Sequence, residues 1–179
     1  MSFSSPTPDS VDPSWRRNGA IVVPAGEGKV VTINGDVFTI KLRSTPTGGS
    51  VGVLEINAPP GVFAAPHIHG REDESFYLIS GELEFINGDK THRLRAGDFA
   101  FVPRGTRHGY TNVGSGSAKI LVFFTPGGAE EFWVEVGEDF RPESVGQPWT
   151  IDKFAALEET LKRYGITMCV TDSARFPNQ

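Results

Sequence analysis

Cysteine is almost missing from this chain: Cys169 is the single one in 179 residues. No intrachain disulfide can form, so the fold does not rest on oxidation. Long apolar runs are missing as well, and nothing approaches the roughly 20 residues that a bilayer-spanning helix needs. Positive charge is in short supply, with 17 Lys+Arg against 22 Asp+Glu and a formal net charge of −5. The chain therefore has no broad basic face for phosphates, which argues against a general nucleic-acid binder. Residues 1–15 are rich in Ser, Pro and Asp and lack the apolar centre of a secretory signal. Together these absences predict a soluble, cytoplasmic protein with neither membrane nor nucleic acid among its partners.

Turn-forming residues, by contrast, are plentiful. Gly 21 and Pro 13 favour many short strands over long helices, and a hydrophobic share of 38% is enough for a core. Residues 1–19 read as a flexible arm and residues 20–179 as one domain. Short β-branched or aromatic runs occur at 21–23, 30–33, 37–40, 51–56, 75–79, 83–86, 91–94, 99–102, 108–111 and 120–124. Asn34-Gly35 and Asn87-Gly88 are hairpin signals between such runs. The expected fold class is all-β, a sandwich or barrel over about 20–125, followed by a helical extension over 126–179. Two helices are legible there. In the first, Ala129, Phe132, Trp133 and Val136 share a face with Glu130, Glu131 and Glu135 turned away, Thr125 as cap and Pro126 in the first turn. In the second, Asp152 is the candidate cap, Phe154, Leu157, Leu161 and Tyr164 share a face, and Gly165 ends it.

The chain has 4 histidines, and His67, His69 and His108 form a pattern with Glu74. On an extended strand residues i and i+2 point to one face, so His67 and His69 can grip one ion together. Glu74 can add a carboxylate from the next strand, and His108 can close the site. Three imidazoles and a carboxylate suit one divalent transition metal ion: Fe, Mn, Co, Ni, Cu or Zn. Without thiolates the usual structural zinc framework is excluded. Glu74 can bind the ion, or stand beside it as a general base.

Gly61-x5-His67-x-His69-x4-Glu74-x6-Gly81 resembles the first signature motif of the cupin superfamily. Gly97-x5-Pro103-x-Gly105-x2-His108-x3-Asn112 resembles the second, and the 15 residues from Glu82 to Ala96 separate them. The resemblance implies a double-stranded β-helix, a jelly-roll barrel, carrying the N-terminal arm and two C-terminal helices. It also implies metal binding by His67, His69, Glu74 and His108, with the glycines and Asn112 structural. The passage from Phe123 to Phe132 is similar to single-domain cupins of the quercetin 2,3-dioxygenase-like group. That second likeness implies a dioxygenase acting on an aromatic, flavonol-like or polyketide-like molecule, in which Glu74 takes the proton of a substrate hydroxyl.

Alternation puts Phe76 and Leu78 on the face of Glu74, Tyr110 on the face of His108, and Phe101 with Phe99 on another. Phe76, Leu78, Phe101 and Tyr110 are the candidates for an apolar substrate slot. Phe132 and Trp133 are expected to pack helix against sheet rather than plug the barrel. His92 is expected to face solvent, Arg104 and Arg107 to lie in a solvated turn, and Cys169 to be incidental. The leading expectation is a metal-dependent dioxygenase using O2 on a hydrophobic or aromatic small molecule. The alternatives are a non-redox isomerase, cyclase or lyase at the same ligands, and a small-molecule binding protein. A homodimer paired through sheet edges is expected.

Overall fold

A computed structural model describes residues 19–169. The strands are β1 (Lys29–Ile33), β2 (Asp36–Leu42), β3 (Gly52–Ala58), β4 (Phe63–His69), β5 (Asp73–Ser80) and β6 (Glu82–Asn87). They continue with β7 (Lys90–Arg95), β8 (Phe99–Val102), β9 (His108–Asn112) and β10 (Ala118–Thr125). The helix α1 (Glu130–Val136), the short β11 (Glu138–Asp139), helices α2 (Ile151–Ala156) and α3 (Glu158–Arg163), and β12 (Ile166–Met168) follow. One antiparallel sheet runs β11-β1-β2-β3-β10-β5-β8, and the other β12-β4-β9-β6-β7. This is the all-β jelly roll expected.

Alternation builds the core between the sheets. On β3 Leu54, Ile56 and Ala58 point inward, and on β10 Ala118, Ile120, Val122 and Phe124 are completely buried. Ile120 pairs with Ile56 and Val122 with Leu54, so the inward rows meet side by side. Each such aliphatic contributes roughly 1.5–3 kcal/mol by leaving water. The Asn34–Gly35 turn closes β1 onto β2 with both residues at positive φ, 54° and 87°, as a two-residue hairpin of this sequence should. The second hairpin differs from the expectation. Asn87 pairs with Lys90 as the last strand residue, so the turn is Gly88-Asp89, with Gly88 at φ 59°.

Four other expectations need correction. Residues 21–23 form no strand, and Ile21 and Val22 are 53% and 79% exposed; the edge of β1 is taken by β11. Thr125 does not cap α1, since it ends β10; Ala129 stands at the cap without a side-chain bond. Nor does Glu130 turn away. It is fully buried, with its carboxylate accepting the Ser44 N–H at 2.5 Å and the Gly128 N–H at 2.8 Å. Gly52 makes room for it, because a Cβ there would lie 1.9 Å from the Glu130 Oε2. The last helix is broken in two at Leu157, and its cap is Thr150, not Asp152, with Oγ1 accepting the Lys153 N–H at 3.3 Å. Gly165, at φ 72°, ends α3 as expected.

The extension then returns strands to both sheets: β11 pairs with β1, and β12 pairs with β4. Most of the expected arm, residues 1–18, lies outside the described residues.

Candidate metal centre

His67 and His69 sit near the end of β4, a strand with little apolar periodicity and Pro66 within it. Proline offers no N–H to a ladder, and here it sits at a register shift against β9. Ala64 pairs with Tyr110 but His67 pairs with His108, so β4 carries one extra residue and brings two histidines face to face. Glu74 comes from β5, between Phe124 of β10 and Val102 of β8. The ligand atoms of His67, His69, Glu74 and His108 all lie within 4.8 Å of one another.

The hydrogen bonds orient these rings. His67 Nδ1 lies 2.8 Å from the Ala65 carbonyl, and His108 Nδ1 lies 2.9 Å from the Thr106 carbonyl. A carbonyl only accepts, so both rings carry their proton on Nδ1 and leave Nε2 for the centre of the cluster. His69 is 1% exposed, yet neither of its ring nitrogens has a hydrogen-bond partner. Its Nε2 lies 3.5 Å from Glu74 Oε2. A buried imidazole without partners, facing two others and a carboxylate, is what a divalent ion would satisfy. The donor set fits the ion expected.

Electrostatics agrees with that fit. Burial, with His108 and His69 adding to it, pushes His67 down to about 3 and so keeps it neutral. Burial works to raise the Glu74 carboxyl, but His69, His108 and His67 together hold it below its ordinary value. For His108 burial works downward, and the Glu74 carboxylate, 2.7 Å from Nε2, outweighs it to raise the imidazole. Metal binding needs the Nε2 lone pair, so the His108 proton must leave. Because that imidazole is raised, metal affinity is expected to fall as pH drops through neutrality, and zinc added near pH 7 in weak buffer should release protons. Affinity independent of pH, with no proton released, would contradict this pairing.

Beside the cluster lies a cavity of about 90 Å³, with His67 and His69 on its wall. Phe38 of β2, Trp133 of α1, Trp149, Phe154 of α2 and Met168 of β12 also line it. Trp133 packs on Phe38 and Phe124 with ring centroids 5.7 and 5.3 Å away. The helix-to-sheet packing expected of Phe132 and Trp133 is seen, and both residues also wall the cavity.

The cupin domain profile matches residues 54–124. The tetracenomycin polyketide synthase protein TcmJ of Streptomyces glaucescens is 31% identical over 121 residues, covering 65% of this chain and 68% of that protein. The chain belongs to the cupin superfamily. Quercetin 2,3-dioxygenase of Bacillus subtilis (strain 168) is 27% identical to this cupin over 126 residues, or 69% of the chain. The match spans only 37% of that enzyme's length. Among solved structures, a predicted oxalate decarboxylase from Thermotoga maritima superposes with a TM-score of 0.57 at 23% identity, covering 59% of this cupin and 99% of that chain. That likeness shows the fold.

Of the cluster, His67 and His69 stand on the cavity wall and Glu74 and His108 do not. None of the expected substrate residues, Phe76, Leu78, Phe101 and Tyr110, lines the cavity. Phe76 and Leu78 are core residues, with Phe76 packed edge-on to Phe85 at 5.1 Å. Phe101 pairs with Ser75 rather than Glu74, so it points outward and is 56% exposed; Val102 has the inward parity. Tyr110 is buried, its hydroxyl donating to Asp36 Oδ2 at 2.8 Å. Arg104 is held by Asp73, with Nε and Nη2 at 3.0 and 3.1 Å, and Arg107 donates to the Gly88 carbonyl. His92 is exposed as expected. Neither Asp36 nor Trp149, both on the cavity wall, is among the residues expected from the sequence. An aspartate in phase with Phe38 and Ile40 on an inward face was the available signal for the first.

Proposed function

We propose that this cupin is a metal-dependent dioxygenase acting on a small aromatic molecule. The observation that carries the reading is a three-histidine, one-glutamate cluster two of whose members, His67 and His69, line an aromatic-walled cavity. When bound, a divalent transition ion supplies Lewis acidity and redox chemistry with O2. His67, His69, Glu74 and His108 would hold it. Glu74, kept ionised, takes the proton of a substrate hydroxyl at Oε2, next to His108 Nε2. Trp133, Trp149 and Phe38 hold the ring and exclude water from the reacting oxygen. Among the described residues no lysine or arginine lines the cavity to pair with a substrate carboxylate, so a neutral phenol suits it better than a dicarboxylate.

Size narrows the substrate. About 90 Å³ is nearer the ~150 Å³ that takes one benzene ring than the ~300–1,000 Å³ of sites for larger ligands. One ring can enter with adaptation by the flexible Met168. A three-ring flavonol would have to displace the aromatic wall. Similarity to the polyketide synthase protein TcmJ, across two thirds of its length, fits a polyketide-like substrate, and the second reading is non-redox isomerisation, cyclisation or lyase chemistry at the same ligands. Elemental analysis followed by an oxygen electrode with catechols, simple phenols and flavonols separates these. We expect one metal ion per chain and O2 uptake with a single-ring phenol. Product without O2 uptake would favour the second reading, and binding without turnover a small-molecule carrier.

The homodimer is also proposed, and it has a candidate face. On the outer side of β5 and β8, at the edge of the larger sheet, Tyr77, Ile79, Phe99 and Phe101 are 42–60% exposed. Tyr77 pairs with Phe99, so this apolar surface is continuous. The double variant Phe99→Ser, Phe101→Ser is expected to shift sedimentation from dimer to monomer while leaving metal content unchanged. A wild-type monomer at working concentration would rule the dimer out.

A further inference from the structure

One buried carboxyl on the cavity wall has no part in the metal cluster. Asp36 opens β2 directly after the Asn34–Gly35 turn, and pairing with Ile33 fixes its inward direction. It is 2% exposed and lines the cavity that His67 and His69 also line. Its Oδ2 accepts the Tyr110 hydroxyl at 2.8 Å, and its Oδ1 is buried with no hydrogen-bond partner. A buried polar atom left unmatched is costly, and one in a residue that borders a cavity calls for a partner within it. Tyr110, which holds Asp36, lies two residues from His108 on β9 and on the same face. The aspartate is thus tied through one strand to the cluster.

The protonation state of Asp36 gives the bond its direction. Burial pushes its carboxyl up to about 8, against a smaller opposing pull from the Tyr110 hydrogen bond. At neutral pH it is mostly a neutral acid. Because Oδ2 is already an acceptor, the proton belongs on Oδ1, which then donates.

We propose that Asp36 anchors the substrate, its Oδ1 donating a hydrogen bond to a neutral carbonyl or ether oxygen on a single-ring phenol whose hydroxyl faces the histidine–glutamate cluster. This rests on the reading of the cavity as the substrate site and adds a selectivity to it: a ring with two oxygen functions over one with a single hydroxyl.

The test uses the full chain loaded with zinc, titrated calorimetrically with two probes of similar shape, 4-hydroxyacetophenone and 4-ethylphenol. Wild type is expected to bind the ketone about 10-fold more tightly, the scale of one net hydrogen bond in a buried site. Asp36→Leu should abolish that preference while leaving 4-ethylphenol affinity nearly unchanged. Asp36→Asn should keep it, because the amide can accept from Tyr110 and donate from its nitrogen. Should Asp36→Leu fail to fold by circular dichroism, the double variant Asp36→Leu, Tyr110→Phe removes both ends of the hydrogen bond and gives the same readout. Equal binding of both probes to wild type, or a preference that survives in the leucine variant, overturns the anchor while leaving the cavity as the site. No binding of either probe to wild type overturns both.

Discussion

Alanine at His69 is expected to leave the purified protein almost free of bound metal while the barrel stays folded. His69 is 1% exposed and its Nε2, 3.5 Å from Glu74 Oε2, has no hydrogen-bond partner, so an ion in the cluster would satisfy it, while Nδ1 faces Glu72 Oε2 at 3.8 Å. His67 and His108 instead have their Nδ1 atoms fixed by backbone carbonyls and their Nε2 atoms turned to the cluster. Losing an outer partner of a ligand typically weakens metal binding about 10–100-fold, so losing a ligand should weaken it by more than about 100-fold. His67→Ala and His108→Ala should behave alike. The fold should survive because its turns are tied elsewhere. The Asn112 amide donates to the carbonyls of Ala58 and Gly116 at 2.7 and 2.9 Å and accepts the Gly114 N–H at 2.9 Å. Elemental analysis with a thermal melt checks both halves. Unchanged metal content in all three variants would remove the site assignment.

Glu74→Gln is expected to separate binding from catalysis. As a ligand the carboxylate contributes charge and one bond, so the amide should weaken metal affinity, though less than loss of a histidine does. As a base it must accept a proton, which an amide cannot do at neutral pH. General-base catalysis is worth roughly 10²–10⁴-fold, so turnover at matched metal occupancy should fall at least about a hundredfold while substrate still binds. Turnover like wild type, with metal fully reloaded, would show that another group takes the proton. The metal centre would stand, and proton transfer from the substrate hydroxyl to Glu74 would not.

Both variants address residues that were legible before any coordinates. The i, i+2 step of His67 and His69 is a property of any extended strand, and Asn34-Gly35 encodes its own turn. Gly61, Gly81, Gly97 and Gly105 all adopt positive φ, 78–94°, which accounts for glycine at those places in both motifs. The alternation of β3 and β10 likewise announced the core.

Phe101 turns outward because parity along a strand does not say which parity faces in. Phe101 and Val102 were equally eligible until β8 paired with β5 in the register that sets Val102 beside Glu74. Strand β12 is too short to carry an alternation signal and exists because β4 offers it an edge.

The sequence by itself determined a strand-rich sandwich or barrel, the candidate donors and the absence of an intrachain disulfide and of long apolar runs, because spacing, turn chemistry and composition are local or countable; the jelly roll came with the resemblance to cupins. Only the tertiary structure decided what surrounds the donors. Trp133, Trp149, Phe154 and Met168 reach the cavity from 25 to 60 positions beyond His108. Asp36 reaches the cavity from an earlier hairpin, held there by Tyr110. Such neighbours meet through register and packing between distant segments, which short-range spacing does not encode.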